Sequence, residues 1–279
     1  MKNTHTLLVC LASFAGIFAN AQLFQTSIEV RAFEQGLGYG VVDTLTADTA
    51  GTISLNINHG GIFSTATATA QIGTLKTFSK SSAVGAFDIN SGYANAQASF
   101  RDSLTVMGGV PDSAGTLLIN LSFEGTLRGS GGPGSSTPAS SWSSFAIQGG
   151  GAGVLASGTE YYGDVSYPTG SLIQYEIPFQ FGQATPIFLG LNTASESRTY
   201  YADGTTVEGV ANFSSSLYWG GISGVRIGDE IHPITEFLFS SDSGVNYTQS
   251  FAPVPEPAEY VGLFACGLVA FVLIRRRRI

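Results

Sequence analysis

Apolar and polar residues alternate with a period of two along much of this chain. Ile53, Leu55 and Ile57 alternate with Ser54 and Asn56, and Thr65 to Ala70 reads Thr-Ala-Thr-Ala-Thr-Ala. Ala94, Ala96, Ala98 and Phe100 share one parity, as do Leu117, Ile119, Leu121 and Phe123. The strongest run is Ile173, Tyr175, Ile177, Phe179 and Phe181, set against Gln174, Glu176 and Gln180. Successive side chains of a strand point to opposite faces, so each run predicts a strand with one buried and one wet face. Pro178 falls on the polar face of its run, which predicts an edge strand or a bulge. Further strands are expected over 187–191, 210–219, 222–227, 234–240 and 245–251.

No stretch between the two ends carries an i, i+3, i+4, i+7 apolar stripe. Charged residues are only 11% of the chain, so the Lys and Glu that usually cover exposed helix faces are missing. Thr, Val, Ile, Phe and Tyr favour strands, and the 36 glycines supply turns. Dense turn material lies at Gly36 to Gly40, Gly108 to Pro111, Gly129 to Ser141 and Gly149 to Gly153. Alanines on a strand face bury little area each but let two sheets approach, or let an aromatic pack over them. The expectation is all-β: a single antiparallel β-sandwich, jelly-roll-like, of roughly 10 to 14 strands.

The ends read differently. Lys2 and His5 precede an apolar run, Leu7 to Phe18, and Ala19-Asn20-Ala21 is an A-x-A cleavage site. Residues 1–21 are thus expected to be a signal peptide, and the mature chain to begin at Gln22. At the other end, Tyr260 to Ile274 has no charged residue and is followed by Arg275, Arg276, Arg277 and Arg278. As a helix those 15 residues span about 22 Å, short of a bilayer core of about 30 Å, although arginine stems can snorkel. The arginines place the C-terminus in the cytoplasm and the body outside. Pro253, Pro255 and Pro257 stop the helix from continuing upstream.

Val254-Pro255-Glu256-Pro257, a short span over 258–274 and a terminal Arg cluster closely resemble the PEP-CTERM sorting signal of Gram-negative secreted proteins. The resemblance covers residues 253–279 and implies cleavage near Pro-Glu-Pro by a membrane-embedded exosortase. Ala258-Glu259-Tyr260 stands where many members carry Ser or Thr. The alternations, with Phe100 to Gly109 and Gly115 to Phe123, also look like the β-rich ectodomains that such proteins carry.

Both cysteines, Cys10 and Cys266, fall in the end segments, so the body, 22–252, is built without disulfides. Of 12 Lys and Arg, Lys2 and Arg275 to Arg278 lie in the ends, leaving 7; of 20 Asp and Glu, Glu256 and Glu259 do, leaving 18. A body of net charge −11 does not bind nucleic acid by neutralising phosphates.

Motifs for chemistry are sparse. His59 and His232 are isolated, with no H-x-H or H-E-x-x-H, so a zinc or copper site lacks clustered ligands. No G-x-S-x-G elbow occurs, and Asp102 beside Ser103 reads as turn chemistry. Glu124 and Glu176, each on a polar strand face, are the carboxylates to weigh for glycoside hydrolysis. Asp229-Glu230 and Asp242-x-Gly244 supply loop oxygens of the kind that hold a structural calcium in β-sandwich exoproteins. Trp142, Tyr161, Tyr162, Tyr167, Tyr218 and Trp219 are the aromatics available for stacking on sugars or for core packing. The resulting expectation is a non-enzymatic protein without cofactor, exported across the inner membrane. It is transiently anchored, then sorted to the cell surface or extracellular polysaccharide matrix. A carbohydrate-binding module and a jelly-roll glycan hydrolase are the alternatives.

Overall fold

The computed structural model describes residues 24–34, 39–84, 90–130, 139–150, 153–199 and 206–252. They form 14 strands. The first five are β1 (Phe24–Glu34), β2 (Tyr39–Ala47), β3 (Gly51–His59), β4 (Ile62–Gln71) and β5 (Thr74–Val84). Then come β6 (Asn90–Met107), β7 (Ala114–Ser130), β8 (Ala139–Gly149), β9 (Gly153–Glu160) and β10 (Tyr162–Gln180). The last are β11 (Ala184–Thr199), β12 (Thr206–Ile227), β13 (Glu230–His232) and β14 (Leu238–Ser241). One 3-10 turn, Ile234–Glu236, precedes β14.

The strands make two seven-stranded antiparallel sheets. Sheet A runs β2-β1-β6-β11-β8-β9, with β14 beside β6. Sheet B runs β10-β7-β12-β5-β4-β3, with β13 beside β12. Both sheets take strands from either side of the Gly129 to Ser141 segment. They pack face to face as a sandwich around one hydrophobic cluster. Ala66, Ala68 and Ala70 point into it while Thr65, Thr67 and Thr69 point out, as the period of two requires. Strand β10 is an edge strand, and Pro178 faces solvent on it.

The interior has two unlike parts. One is aromatic: Phe145 lies 4.6 Å from Phe213 and 6.1 Å from Phe123, and Phe100 lies 6.5 Å from Trp219, each contact joining the sheets. The other is filled by small residues. There the inward side chains are Thr77, Ser79 and Ser81 of β5, Ser143 of β8 and Thr193, Ser195 and Ser197 of β11. The sheets are pinched at this place. A Cβ at Gly209 would lie 2.5 Å from the backbone oxygen of Trp142 and 2.9 Å from that of Glu196, across the interface. Ser141 Oγ donates to the Glu208 carbonyl at 2.6 Å, tying β8 to β12 there.

Two strand expectations need correction. Ile234 to Ser240 is a 3-10 turn followed by the short β14, because Pro233 interrupts the ladder at its start. Residues 245–251 form no strand; Tyr247 is inserted between the sheets instead.

Candidate functional site

The residues expected to direct export and sorting lie outside the described residues. They are Ala19, Ala21 and Gln22 at the first end, and Val254, Pro255, Glu256 and Pro257 with Arg275 to Arg278 at the other. Among the described residues, no helix is long and apolar enough to cross a membrane.

The carboxylates weighed for hydrolysis are far apart. Glu176 on β10 is paired in register with Leu118 of β7, and Glu124 lies six residues further along β7. At about 3.3 Å per residue that is roughly 20 Å, twice the widest spacing used by glycosidases. Glu176 is also engaged, accepting two bonds from the Arg226 guanidinium at 2.7 and 2.8 Å. The pair raises the Arg226 pKa further above its ordinary value.

His232 Nδ1 sits 3.2 Å from Glu236 Oε2, with Glu230 at 3.9 Å. No group of three or more His, Cys, Asp or Glu residues is placed to hold a metal among the described residues. Asp242 lies in the turn after β14, and its backbone N–H donates to the Ser103 carbonyl of β6 at 3.1 Å.

Asp102 is not turn chemistry. It stands on β6 between the point where β1 stops pairing, at Phe100, and the point where β14 begins, at Leu104. Through this gap the C-terminal segment enters the sandwich. Asp102 Oδ2 accepts from Tyr247 OH at 2.8 Å and from the Ser243 hydroxyl. Its Oδ1 accepts from the Ser103 and Ser243 backbone N–H groups at 2.8 and 3.3 Å. Tyr247 is fully buried. Its ring stacks 6.4 Å from Phe100 and meets Trp219 edge-on at 5.2 Å. The Tyr247 carbonyl accepts from Trp219 Nε1 at 2.8 Å, and Phe251 N donates to the Trp219 carbonyl at 2.8 Å. The Phe251 ring covers Gly73, where φ is +70° and a Cβ would meet the ring at 2.4 Å, so only glycine fits. Residues 230–252 are therefore a strap that touches sheet B, then sheet A, then the interior.

Burial pushes the phenols of Tyr175 and Tyr247 well above their ordinary range, and Asp102 adds to the effect at Tyr247. In the unfolded chain both titrate near pH 10. Their contribution is therefore complete below about pH 10 and is lost above it, by about 1.4 kcal/mol per pH unit for each group. Urea melts between pH 9 and 11.5 are expected to show this decline, and Tyr175→Phe to make it shallower. A pH-independent midpoint over that range would contradict the buried phenols.

The solvent face of sheet A carries a second grouping. Arg31 of β1, Tyr93 of β6, Glu196 of β11 and Trp142 of β8 are register partners across four adjacent strands. Their chain neighbours Val30, Ala94, Ser195 and Ser143 are buried, so all four point outward. Arg31 lies over the Tyr93 ring at 5.3 Å and pairs with Glu29 at 2.5 Å. Trp142 Nε1 donates to Glu196 Oε2 at 3.1 Å, and Arg198 pairs with Glu196 at 2.5 Å. Beside this row Asn95 Nδ2 donates to Asn192 Oδ1 at 3.2 Å, and outward-facing Ala194 is 0% exposed beneath its taller neighbours.

Of the six aromatics singled out in the sequence, only Trp142 belongs to this row. Trp219 is fully buried, and Tyr167 packs 4.9 Å from Phe145. Tyr93, Glu196 and Arg31 were missed because nothing in their local sequence links them; only strand register does. No family model, no curated protein and no solved structure matches the chain.

Proposed function

We propose that this is an exported, non-enzymatic protein of the cell envelope or extracellular polysaccharide matrix, sorted by its C-terminal tail. Residues 1–21 are removed, and a jelly-roll-like sandwich lies outside the inner membrane. A transmembrane helix over 258–274 then holds the chain, with Arg275 to Arg278 in the cytoplasm, until an exosortase-type enzyme cuts near Pro255-Glu256-Pro257.

The observation that carries this is the order of parts at the C-terminus: proline motif, short apolar span, arginine block. The strap supports it. Phe251 and Ala252 close a body already laced to both sheets, and the motif follows at once. From Ala252 to Tyr260 an extended chain reaches at most roughly 28 Å, so the body stands on the membrane until it is released. A carbohydrate-binding role is the second reading, favoured by the Tyr93–Trp142 row. A jelly-roll hydrolase has least support, since Glu124 and Glu176 do not face each other.

Intact-mass measurement of the protein extracted from its host envelope is expected to give a chain beginning at Gln22 and ending near Pro257. A mass that retains Arg275 to Arg278 would leave an uncut membrane anchor and remove the sorting step.

A further inference from the structure

We propose that the outward face of sheet A, along Arg31, Tyr93, Glu196 and Trp142, binds a neutral glycan chain. The inference does not depend on sorting: an uncut protein has the same face.

Neighbouring strands lie about 4.8 Å apart, so three strand gaps make the row about 14 Å long. That length accommodates two to three sugar rings of an extended chain. Two flat rings, Tyr93 and Trp142, stand at different places along it, one on each side of Glu196. Sugar recognition needs this combination: an apolar ring face for the C–H side of the sugar, and charged or amide groups for its hydroxyls.

The row is pre-set. The indole of Trp142 is held by Glu196, Glu196 by Arg198, and the Tyr93 ring by the overlying Arg31. Fixed side chains lose little entropy on binding. The row is partly open to solvent: Tyr93 and Trp142 are half-buried, and the side chains of Arg31, Arg198 and Glu196 are 52%, 48% and 13% exposed. Next to the row, the Asn95–Asn192 amide pair and Ala194 are buried and brace it from the side.

Charge selects the class of glycan. Arg31 and Arg198 balance Glu29 and Glu196, so the patch is neutral within a strongly acidic body. Two balanced ion pairs offer hydroxyls both donors and acceptors. They offer an anionic polymer no net attraction, and the surrounding body repels it.

Cross-strand pairs also stabilise sheets, so the test separates binding from folding. Full chain purified in a zwitterionic, sugar-free detergent is titrated by calorimetry with cellohexaose, laminarihexaose and mannohexaose, and with polygalacturonate as the anionic probe. At least one neutral hexaose is expected to bind with Kd of about 1 mM or tighter. Trp142→Ala and Glu196→Gln are each expected to weaken it about tenfold or more while the melting temperature stays within a few degrees. Should Trp142→Ala unfold, Trp142→Met keeps the volume without the flat ring and must show the same loss. The site is overturned if none of the three hexaoses saturates, if polygalacturonate binds as tightly, or if binding survives these substitutions unchanged.

Discussion

Tyr247→Ala is expected to lower the melting temperature by roughly 8–16 °C, the loss of about 4 kcal/mol in a domain of this size. Two effects combine. The buried ring that fills the space between Phe100, Trp219 and Phe251 disappears and leaves a cavity. The Asp102 carboxylate also loses the phenol that donates to it, and hydrogen bonds to charged groups contribute about 1.5–3 kcal/mol. Tyr247→Phe separates the two, because it keeps the ring and removes only the donor; it is expected to cost about 1.5–3 kcal/mol, less than Tyr247→Ala. The strap should loosen first, so limited proteolysis of Tyr247→Ala is expected to cut within 230–252 before any cut in the sheets. A melt within about 1 °C of the parent protein would show that Tyr247 is not seated between the sheets.

At the pinched part of the interior, Gly209→Ala is expected to cost about 3 kcal/mol or more, roughly 6–12 °C in melting temperature. The added methyl meets backbone oxygens of Trp142 and Glu196, not the far end of a flexible side chain. Relief requires β12 to move away from β8 and β11, and that strains their ladders and the Ser141–Glu208 bond. Ser79→Ala on neighbouring β5 is the internal control. It replaces a buried hydroxyl that has no hydrogen-bond partner among the described residues with hydrogen, so its expected effect is between neutral and mildly stabilising. Equal destabilisation by both substitutions would mean that the hydroxyls, and not the close approach of the sheets, hold this region together.

That pinch also explains which strands were legible in the sequence. Where inward positions are Leu, Ile, Phe or Ala, as in Leu117 to Phe123 and Ile173 to Phe181, polarity alternates and the strand is evident. In β5 the inward positions include Thr77, Ser79 and Ser81, with Phe78 and Lys80 between them, so the polarity signal is erased although the burial period of two is intact. Strand β8 hides in the same way behind Ser141 and Ser143. The run from Val245 to Phe251 erred in the opposite direction. Its apolar spacing suits a strand, but its side chains pack between the sheets rather than on a ladder.

The candidate sites show a similar split. Pro178 announced an edge from its own position, and the edge is there. Asp102 reads as local because one of its donors, the Ser103 N–H, is its neighbour in sequence; the phenol of Tyr247 and the hydroxyl of Ser243 reach it from the far end of the chain. Glu124 and Glu176 each fall on the polar face of a strand, which is all that alternation can say of them, and the β7–β10 register separates them.

What this sequence determines unaided is the class of structure: alternating polarity and abundant glycine require wet-faced antiparallel sheets, because side-chain direction along a strand is set within a few residues. Which side chains stand level with one another, the strap through Asp102, the pinch at Gly209 and the Arg31–Trp142 row, was decided only when the strands took their register. A shift of one residue in any of them would turn that strand's side chains to the opposite face, and no local pattern carries that choice.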